Sequence, residues 1–170
     1  MTLKLLGAIL VIAGCGGVGF SLCHNHRREE MALEQLIQSL AWMKLELNYR
    51  MSPLSALCRG ASERTKGVVG DVFFQLALEL EQQITPDVST CMSAALSSVR
   101  NLPWKALCHF KTLGTSLGQY DLNGQMVGLE AVEALCAQDL QQMRSSREVR
   151  LRNYRVLGLC AGAAMVLFFL

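Results

Sequence analysis

The residues best suited to bind a metal or to act as a nucleophile are poorly spaced for either task. Cys23, His24 and His26 lie close together, but side chains two positions apart on a helix do not share a face. Cys108 and His109 are neighbours on a predicted helix, so their side chains diverge and make a poor dyad. The sequence offers no second cluster of ligands. We therefore predict neither a metal centre nor a cysteine–histidine dyad.

Acid–base chemistry has one candidate pair, Glu130 and Glu133, which would share a helix face. Solvated carboxylates commonly have this spacing. The sequence contains no phosphate-binding loop, no H-E-x-x-H and no G-x-S-x-G, and its 3 histidines leave little for general acid–base catalysis. We predict a structural or interaction protein that is not an enzyme and uses no cofactor. The alternative is a membrane-anchored enzyme that uses this glutamate pair or the cluster at 23–26.

The glycine-rich N-terminal segment allows three interpretations. Residues 14–19 match G-x-G-x-x-G, but a dinucleotide site needs a following βαβ unit, and residues 29–50 carry a helical period instead. The sequence Ile-Ala-Gly-Cys ending at Cys15 resembles a lipoprotein cleavage box, which would make the segment a cleaved signal peptide. The apolar run, however, continues to Cys23. We favour the third interpretation, a retained transmembrane helix.

The length of the chain suits one domain, and its composition is unusually apolar. The chain has 170 residues, and 51% of them are hydrophobic while only 18% are charged, below the roughly 25% of soluble domains. The mean hydropathy is +0.28. The formal net charge of +2 gives no general case for nucleic-acid binding.

Many of the apolar residues lie in two terminal segments. Residues 3–23 carry one charge, Lys4, and as a helix are long enough to cross the roughly 30 Å hydrocarbon core of a bilayer. Residues 156–170 are also apolar but short, so this segment must thin the bilayer or draw on the preceding residues. We expect a transmembrane helix over 1–23, a helical domain over 24–155 and a second transmembrane helix over 156–170.

Arginines flank both segments on the side of the central domain. By the positive-inside rule, that domain is cytoplasmic at a cell membrane and both termini point outward. Anionic lipid would attract these juxtamembrane charges. The arginines are Arg27, Arg28, Arg144, Arg147, Arg150, Arg152 and Arg155.

Small residues recur at every fourth position in both terminal segments. This spacing lets membrane helices approach closely, although it also arises by chance where glycine is frequent. The predicted packing face consists of Ala13, Gly17, Ser21, Gly158 and Gly162.

The cysteines indicate buried thiols. Their number, 7, is odd, and no two form C-x-x-C, which does not suit a disulfide framework. In a reducing cytoplasm we expect them to pack as small apolar side chains.

The sequence of the central domain predicts helices throughout. Leu, Ala, Gln, Glu and Met dominate it, and hairpin signals are missing. One apolar stripe at helical spacing consists of Leu33, Leu36, Leu40, Met43 and Leu47. The last helix starts near Leu122 and runs toward the second terminal segment, with a stripe of Leu129, Val132, Cys136, Leu140 and Met143.

Turn signals follow the first helix. We expect Ser52 to be the N-cap of a short helix with Pro53 at its first position. Gly67 and Gly70 then break the chain, and Asp71 can cap the next helix.

Further breaks divide the rest of the domain. Thr85-Pro86-Asp87 and residues 101–103 each precede a helix, and Gly114 and Gly118 flank a turn. The signals together predict an all-α fold, a compact bundle of about six helices between two transmembrane helices.

The stretch from Leu113 to Gln125 is the candidate partner surface, because contacts concentrate on loops held by rigid helices. Asp121 could instead cap the following helix through a backbone N–H, and both interpretations stay open. The candidate partner-binding residues are Gly114, Gly118, Asp121 and Gln125.

A series of short motifs runs through the whole chain. It comprises LKLLGAILVI from Leu3, Leu45-Glu46-Leu47-Asn48-Tyr49 before Ser52-Pro53-Leu54, GVVGxxF from Gly67, LGxxLGxxDxxGQ from Leu113, and Tyr154-Arg155-x-Leu157-Gly158. Through these motifs and their order, the whole chain resembles the stage III sporulation protein AB family, which consists of membrane proteins of endospore-forming bacteria. Tyr120 stands where the family usually has a small residue.

The resemblance implies an interaction function. The family's cytoplasmic domain is similar to that of the inner-membrane platform protein of type II secretion and type IV pilus machines. This implies a platform in a transenvelope channel between mother cell and forespore, in the mother-cell membrane. The implied partners are other stage III sporulation proteins, including a secretion-type ATPase, and an oligomer is possible. A lipoprotein of unknown activity is an alternative.

Overall fold

The computed structural model describes residues 27–82, 87–117 and 123–145. These residues contain six helices and no strand, so the expected all-α bundle is confirmed. The helices are α1 (helical residues 27–50), α2 (Leu54–Arg64), α3 (Val68–Gln82), α4 (Val88–Ser98), α5 (Trp104–Ser116) and α6 (helical residues 123–145).

The two predicted transmembrane segments, 1–23 and 156–170, lie outside the described residues. Among the helices of the described ranges, none combines the length and apolarity needed to cross a bilayer.

The first and last helices form because each has a continuous apolar face. The five stripe residues of α1 are all buried in the core, as are Leu129, Val132, Cys136 and Leu140 of α6, and Met143 packs against the core while half-buried. Helix α1 ends where Met51 adopts a left-handed backbone with φ 49°. Both predicted stripes are confirmed.

The start of α2 differs from the prediction. Pro53, not Ser52, is the N-cap, because its carbonyl accepts the first helical hydrogen bond, from the Leu57 N–H at 3.0 Å. The prediction of Ser52 as the cap was wrong, and its hydroxyl instead lies 3.5 Å from Glu46 Oε1. A proline can begin the helix here because its own N–H is not needed.

The turn between α2 and α3 centres on Gly67, whose φ of +76° favours glycine. Gly70 and Asp71 both lie in the first turn of α3, so Gly70 as a breaker and Asp71 as a cap were wrong predictions. Gly70 is needed for space, because a Cβ at this position would collide with the carbonyl oxygen of Thr65.

Helix α4 begins at Val88, directly after Asp87 as predicted, and Asp87 is its N-cap. The carboxylate of Asp87 accepts the Ser89 N–H at 3.3 Å and the Thr90 hydroxyl at 3.0 Å. The bond from the Ser89 N–H satisfies one of the backbone donors that a helix N-terminus leaves without a partner.

Helix α5 starts after residues 101–103 as predicted but does not end at Gly114. Gly114 is buried within the helix, which continues to Ser116. A Cβ at this position would lie 2.7 Å from Met92 Cβ, so the glycine permits close packing of α5 on α4. The prediction that Gly114 flanks a turn was wrong.

The helices share one core. Consecutive helices from α2 to α5 pack against each other, and α1 and α6 contribute their stripes to the same cluster. The rings of Phe73 and Phe110 meet edge to face with centroids 5.2 Å apart, a favourable arrangement for aromatic pairs.

Helices α1 and α6 run antiparallel. Glu34 pairs with Arg144, and ten residues further along α1 the Lys44 Nζ lies 2.5 Å from Glu133 Oε2. The numbering rises along α1 as it falls along α6, so residue 27 and residue 145 lie toward the same end. We call this the proximal end, formed by residues 27–34, 139–145 and the α4–α5 turn at 99–103.

Candidate functional site

The one histidine of the described residues holds two helices together. His109 is buried in α5, and its Nε2 lies 3.0 Å from Asp139 Oδ2 in α6. Lys105 Nζ lies 3.4 Å from Asp139 Oδ1. Cys108 is half-buried and is not part of this contact. Sequence reasoning did not single out Asp139, although His109 follows the buried Ala106 by three positions and so lies on the core side of α5.

The glutamates considered for acid–base chemistry have different environments. Glu133 pairs with Lys44, whereas Glu130 is exposed on the same helix. The Glu133–Lys44 ion pair joins α6 to α1.

The described cysteines are thiols, and three of them are buried: Cys58, Cys91 and Cys136. Burial raises the pKa of the Cys58 thiol to about 12. Burial, followed by the charges of Asp139 and Glu133, raises the pKa of Cys136 to about 12 as well. Such thiols stay protonated and unreactive at neutral pH.

Within residues 27–82, 87–117 and 123–145, no three His, Cys, Asp or Glu side chains form a group that could hold a metal ion. Cys23, His24 and His26, which the sequence brings together, lie outside those ranges.

A shallow cleft runs between α1 and the end of α2. At one side, the Ser39 and Thr65 hydroxyls are 2.6 Å apart, and at the other the Arg64 guanidinium lies 4.9 Å from the centre of the Trp42 ring. The lining residues are Gln35, Gln38, Ser39, Trp42, Ala61, Arg64, Thr65 and Lys66. This set includes no carboxylate, histidine or cysteine.

The predicted partner-binding residues are only partly described. Gly114 is buried against Met92, and Gln125 is half-buried on α6. Gly118 and Asp121 lie outside the described residues, so the grouping of the four stays a prediction.

Three of the predicted basic residues are described, Arg27 and Arg28 on α1 and Arg144 on α6, where it pairs with Glu34. Arg27 and Arg28 are exposed at the proximal end, and Arg28 Nη2 donates to the Asn101 carbonyl at 3.3 Å. Arg147, Arg150, Arg152 and Arg155 lie outside the described residues, as do the predicted packing residues Ala13, Gly17, Ser21, Gly158 and Gly162.

Sequence reasoning missed an exposed apolar surface far from the proximal end. Leu45 is 59% exposed, Tyr49 80% and Met51 70%. Leu45 and Tyr49 are four positions apart and therefore lie on one face of α1. We call these three residues the distal apolar face. The sequence signal that could have identified them is that they are apolar but do not belong to the apolar stripe of α1.

The described part of the chain is thus an all-α domain that presents charged and apolar surfaces at its two ends. The family described as "Stage III sporulation protein AB" matches residues 4–170, and the chain belongs to this family. A solved structure titled "Stage III sporulation protein AB (SpoIIIAB)" is similar in fold: the TM-score is 0.62 at 16% identity, over 72% of this chain and 98% of that chain. No curated protein sequence matches the chain.

Proposed function

We propose that this protein is a non-enzymatic membrane platform of a sporulation-specific transenvelope channel between mother cell and forespore. In this proposal, 1–23 and 156–170 are transmembrane helices and the domain at 24–155 lies in the mother-cell cytoplasm. A secretion-type ATPase contacts the domain. Membership in the stage III sporulation protein AB family supports the sporulation role.

The antiparallel pairing of α1 with α6 carries the proposal. If both terminal segments cross the same membrane, the start of α1 and the end of α6 are expected at the same end of the domain. The Glu34–Arg144 pair brings the N-terminal part of α1 beside the C-terminal part of α6, which is the arrangement such a topology needs. The exposed Arg27 and Arg28 at this end have the charge that the positive-inside rule assigns to the cytoplasmic side.

The distal apolar face supports a protein partner on the cytoplasmic side. Tyr49 lies about 30 Å along α1 from Arg28, at 1.5 Å per residue. Exposed aromatic and apolar side chains at such a position favour an interface over plain solvent contact. We assign the ATPase to this face, because it points away from the end that the membrane would occupy.

The test is photo-crosslinking in sporulating cells. A benzophenone amino acid replaces Tyr49 in the full chain, and we expect a light-dependent adduct that contains the secretion-type ATPase. The matched control carries the same group at Lys111, an exposed position of α5, and should give no such adduct.

The substitution Tyr49→Arg provides a second measurement. It should lower the spore yield while the protein remains at its normal level. The crosslinking group can also replace Leu45 or Met51. If none of the three positions gives an adduct with the ATPase, the proposed contact is contradicted.

A further inference from the structure

The turn between α4 and α5 lies at the proximal end of the bundle. Arg28 Nη2 of α1 donates to the Asn101 carbonyl at 3.3 Å. At the start of α5, Lys105 Nζ lies 3.4 Å from Asp139 Oδ1 of α6. The turn is therefore tied to the two helices that lead toward the predicted membrane segments.

The turn presents an aromatic and basic surface to solvent. Trp104 is 69% exposed, and Arg100 and Asn101 are exposed beside it. Val99 and Leu102 are half-buried and pack against the core, which holds the turn on the bundle. Asn101 has a φ of 63°, a left-handed conformation that Asn tolerates better than most residues. We call Arg100, Asn101 and Trp104 the tip.

The charge around the tip favours an anionic surface. Arg27, Arg28 and Arg100 are exposed there, whereas Glu29 and Glu30, which follow on α1, are half-buried. The nearby carboxylate of Asp139 is already engaged by Lys105 and His109. Arginine side chains bind phosphate groups well because their N–H groups match phosphate oxygens in pairs.

We propose that the tip binds the surface of an anionic bilayer, with the Trp104 ring at the level of the headgroups and Arg28 and Arg100 on lipid phosphates. The proposal rests on the proposed function for the membrane location of the chain. Tryptophan is enriched at membrane interfaces because its ring is apolar and its N–H is polar. The domain would then be held against the membrane at a third point and not only through its two terminal segments.

The chain carries its own fluorescent control, since it has 2 tryptophans. Trp42 packs beside Arg64 and lies about 20 Å along α1 from Arg28. The Trp42→Phe variant of the full chain therefore reports on Trp104 alone, and the Trp104→Phe variant reports on Trp42 alone.

The test compares the two variants in lipid nanodiscs of phosphatidylcholine with phosphatidylglycerol, with and without brominated acyl chains. Bromine should reduce the emission of Trp104 by about half or more, because a ring at the interface lies next to the upper acyl chains. The emission of Trp42 should not change. If Trp42→Phe does not fold, the loss of bromine-sensitive emission from the unsubstituted chain on Trp104→Phe gives the same answer.

Charge variants test the headgroup contact. Arg100→Glu should reduce the quenching of Trp104 by bromine, whereas Lys66→Glu, an exposed change at the α2–α3 turn, should not. Equal quenching in nanodiscs of phosphatidylcholine alone would overturn the preference for anionic lipid.

The outcomes separate this proposal from the proposed function. A chain that enters nanodiscs but shows no quenching of Trp104 overturns the tip contact and leaves the membrane platform intact. A chain that does not enter nanodiscs at all contradicts both.

Discussion

Lys44 and Glu133 form an ion pair that joins the C-terminal half of α1 to α6, with Nζ and Oε2 2.5 Å apart. Each side chain is 23% exposed, so the pair is partly shielded from solvent. Sequence reasoning considered Glu133 as half of an acid–base pair, whereas the structure gives it a cationic partner on another helix.

The pair should contribute measurably to stability. We predict that Lys44→Ala and Glu133→Ala each destabilise the domain and that a double-mutant cycle gives a coupling of about 0.5–1 kcal/mol. Urea unfolding of the detergent-solubilised chain provides the values. Glu130→Ala, at an exposed position of the same helix, is the control and should have little effect. A coupling of zero would show that the two charges act independently.

Gly114 should not tolerate a side chain. Gly114→Ala places a Cβ 2.7 Å from Met92 Cβ, so α4 and α5 must separate, at a cost of about 1–3 kcal/mol. The free energy of unfolding measures the effect. Thr115→Ala, at the next and exposed position, should be nearly neutral, and an equally small effect at Gly114 would argue against the close contact.

Asp87 should stabilise the start of α4 in a pH-dependent way. Hydrogen bonds from the Ser89 and Thr90 side chains and from the Ser89 N–H lower the pKa of Asp87. A lowered pKa in the folded state contributes stability above the unfolded pKa, and this contribution is lost as the pH falls through the folded pKa. The urea midpoints of the wild type and Asp87→Ala should therefore differ at about pH 7 and converge as the pH falls below the ordinary Asp pKa of 3.8. Asp87→Asn should retain part of the capping at neutral pH.

Cys58 should make the domain sensitive to alkaline pH. Burial raises the pKa of its thiol from 9.0 to about 12, so the unfolded chain releases this proton at a lower pH than the folded chain. Below pH 9 the thiol is protonated in both states and does not reduce the free energy of unfolding. As the pH rises from 9 toward 12, the free energy of unfolding falls by up to about 1.4 kcal/mol per pH unit. The free energy of unfolding of Cys58→Ala should fall less steeply over this range than that of the wild type. Ala61→Gly, a change in the same helix without a thiol, should destabilise equally at every pH.

Cys108 can test the proposed topology. It is half-buried and therefore more accessible than the buried Cys58. A membrane-impermeant maleimide should label Cys108 in permeabilised cells but not in intact cells if the domain is cytoplasmic. The Cys108→Ala variant gives the background from the other cysteines, and labelling of Cys108 before permeabilisation would contradict the orientation.

The sequence by itself determined the elements whose signals are local. The stripes of α1 and α6 follow from apolar residues at helical spacing, and the start of α4 follows from the side chain of Asp87, which reaches the backbone N–H of Ser89. These features depend on residues a few positions apart, so they could be predicted without knowledge of the neighbouring helices.

The two wrong predictions for glycines share a physical cause. Gly70 and Gly114 were expected to break helices because glycine is a poor helix former, yet both lie inside one. Each is there because another part of the chain, Thr65 or Met92, comes too close for a Cβ. That distance exists only in the folded structure, so the residue type alone could not distinguish a break from a close contact.

Only the tertiary structure decided which residues share a surface. It pairs Lys44 with Glu133 and His109 with Asp139, and it brings Asn101 to Arg28, 73 positions away. Helical periodicity determines which face of a helix is apolar, but it does not specify which polar groups of another helix will be its neighbours. The tip and the distal apolar face lie at different ends of the bundle because Asn101 contacts Arg28 near the start of α1, whereas Leu45 and Tyr49 lie near its end. Such polar contacts between residues far apart in sequence form only once the apolar stripes have packed into one core.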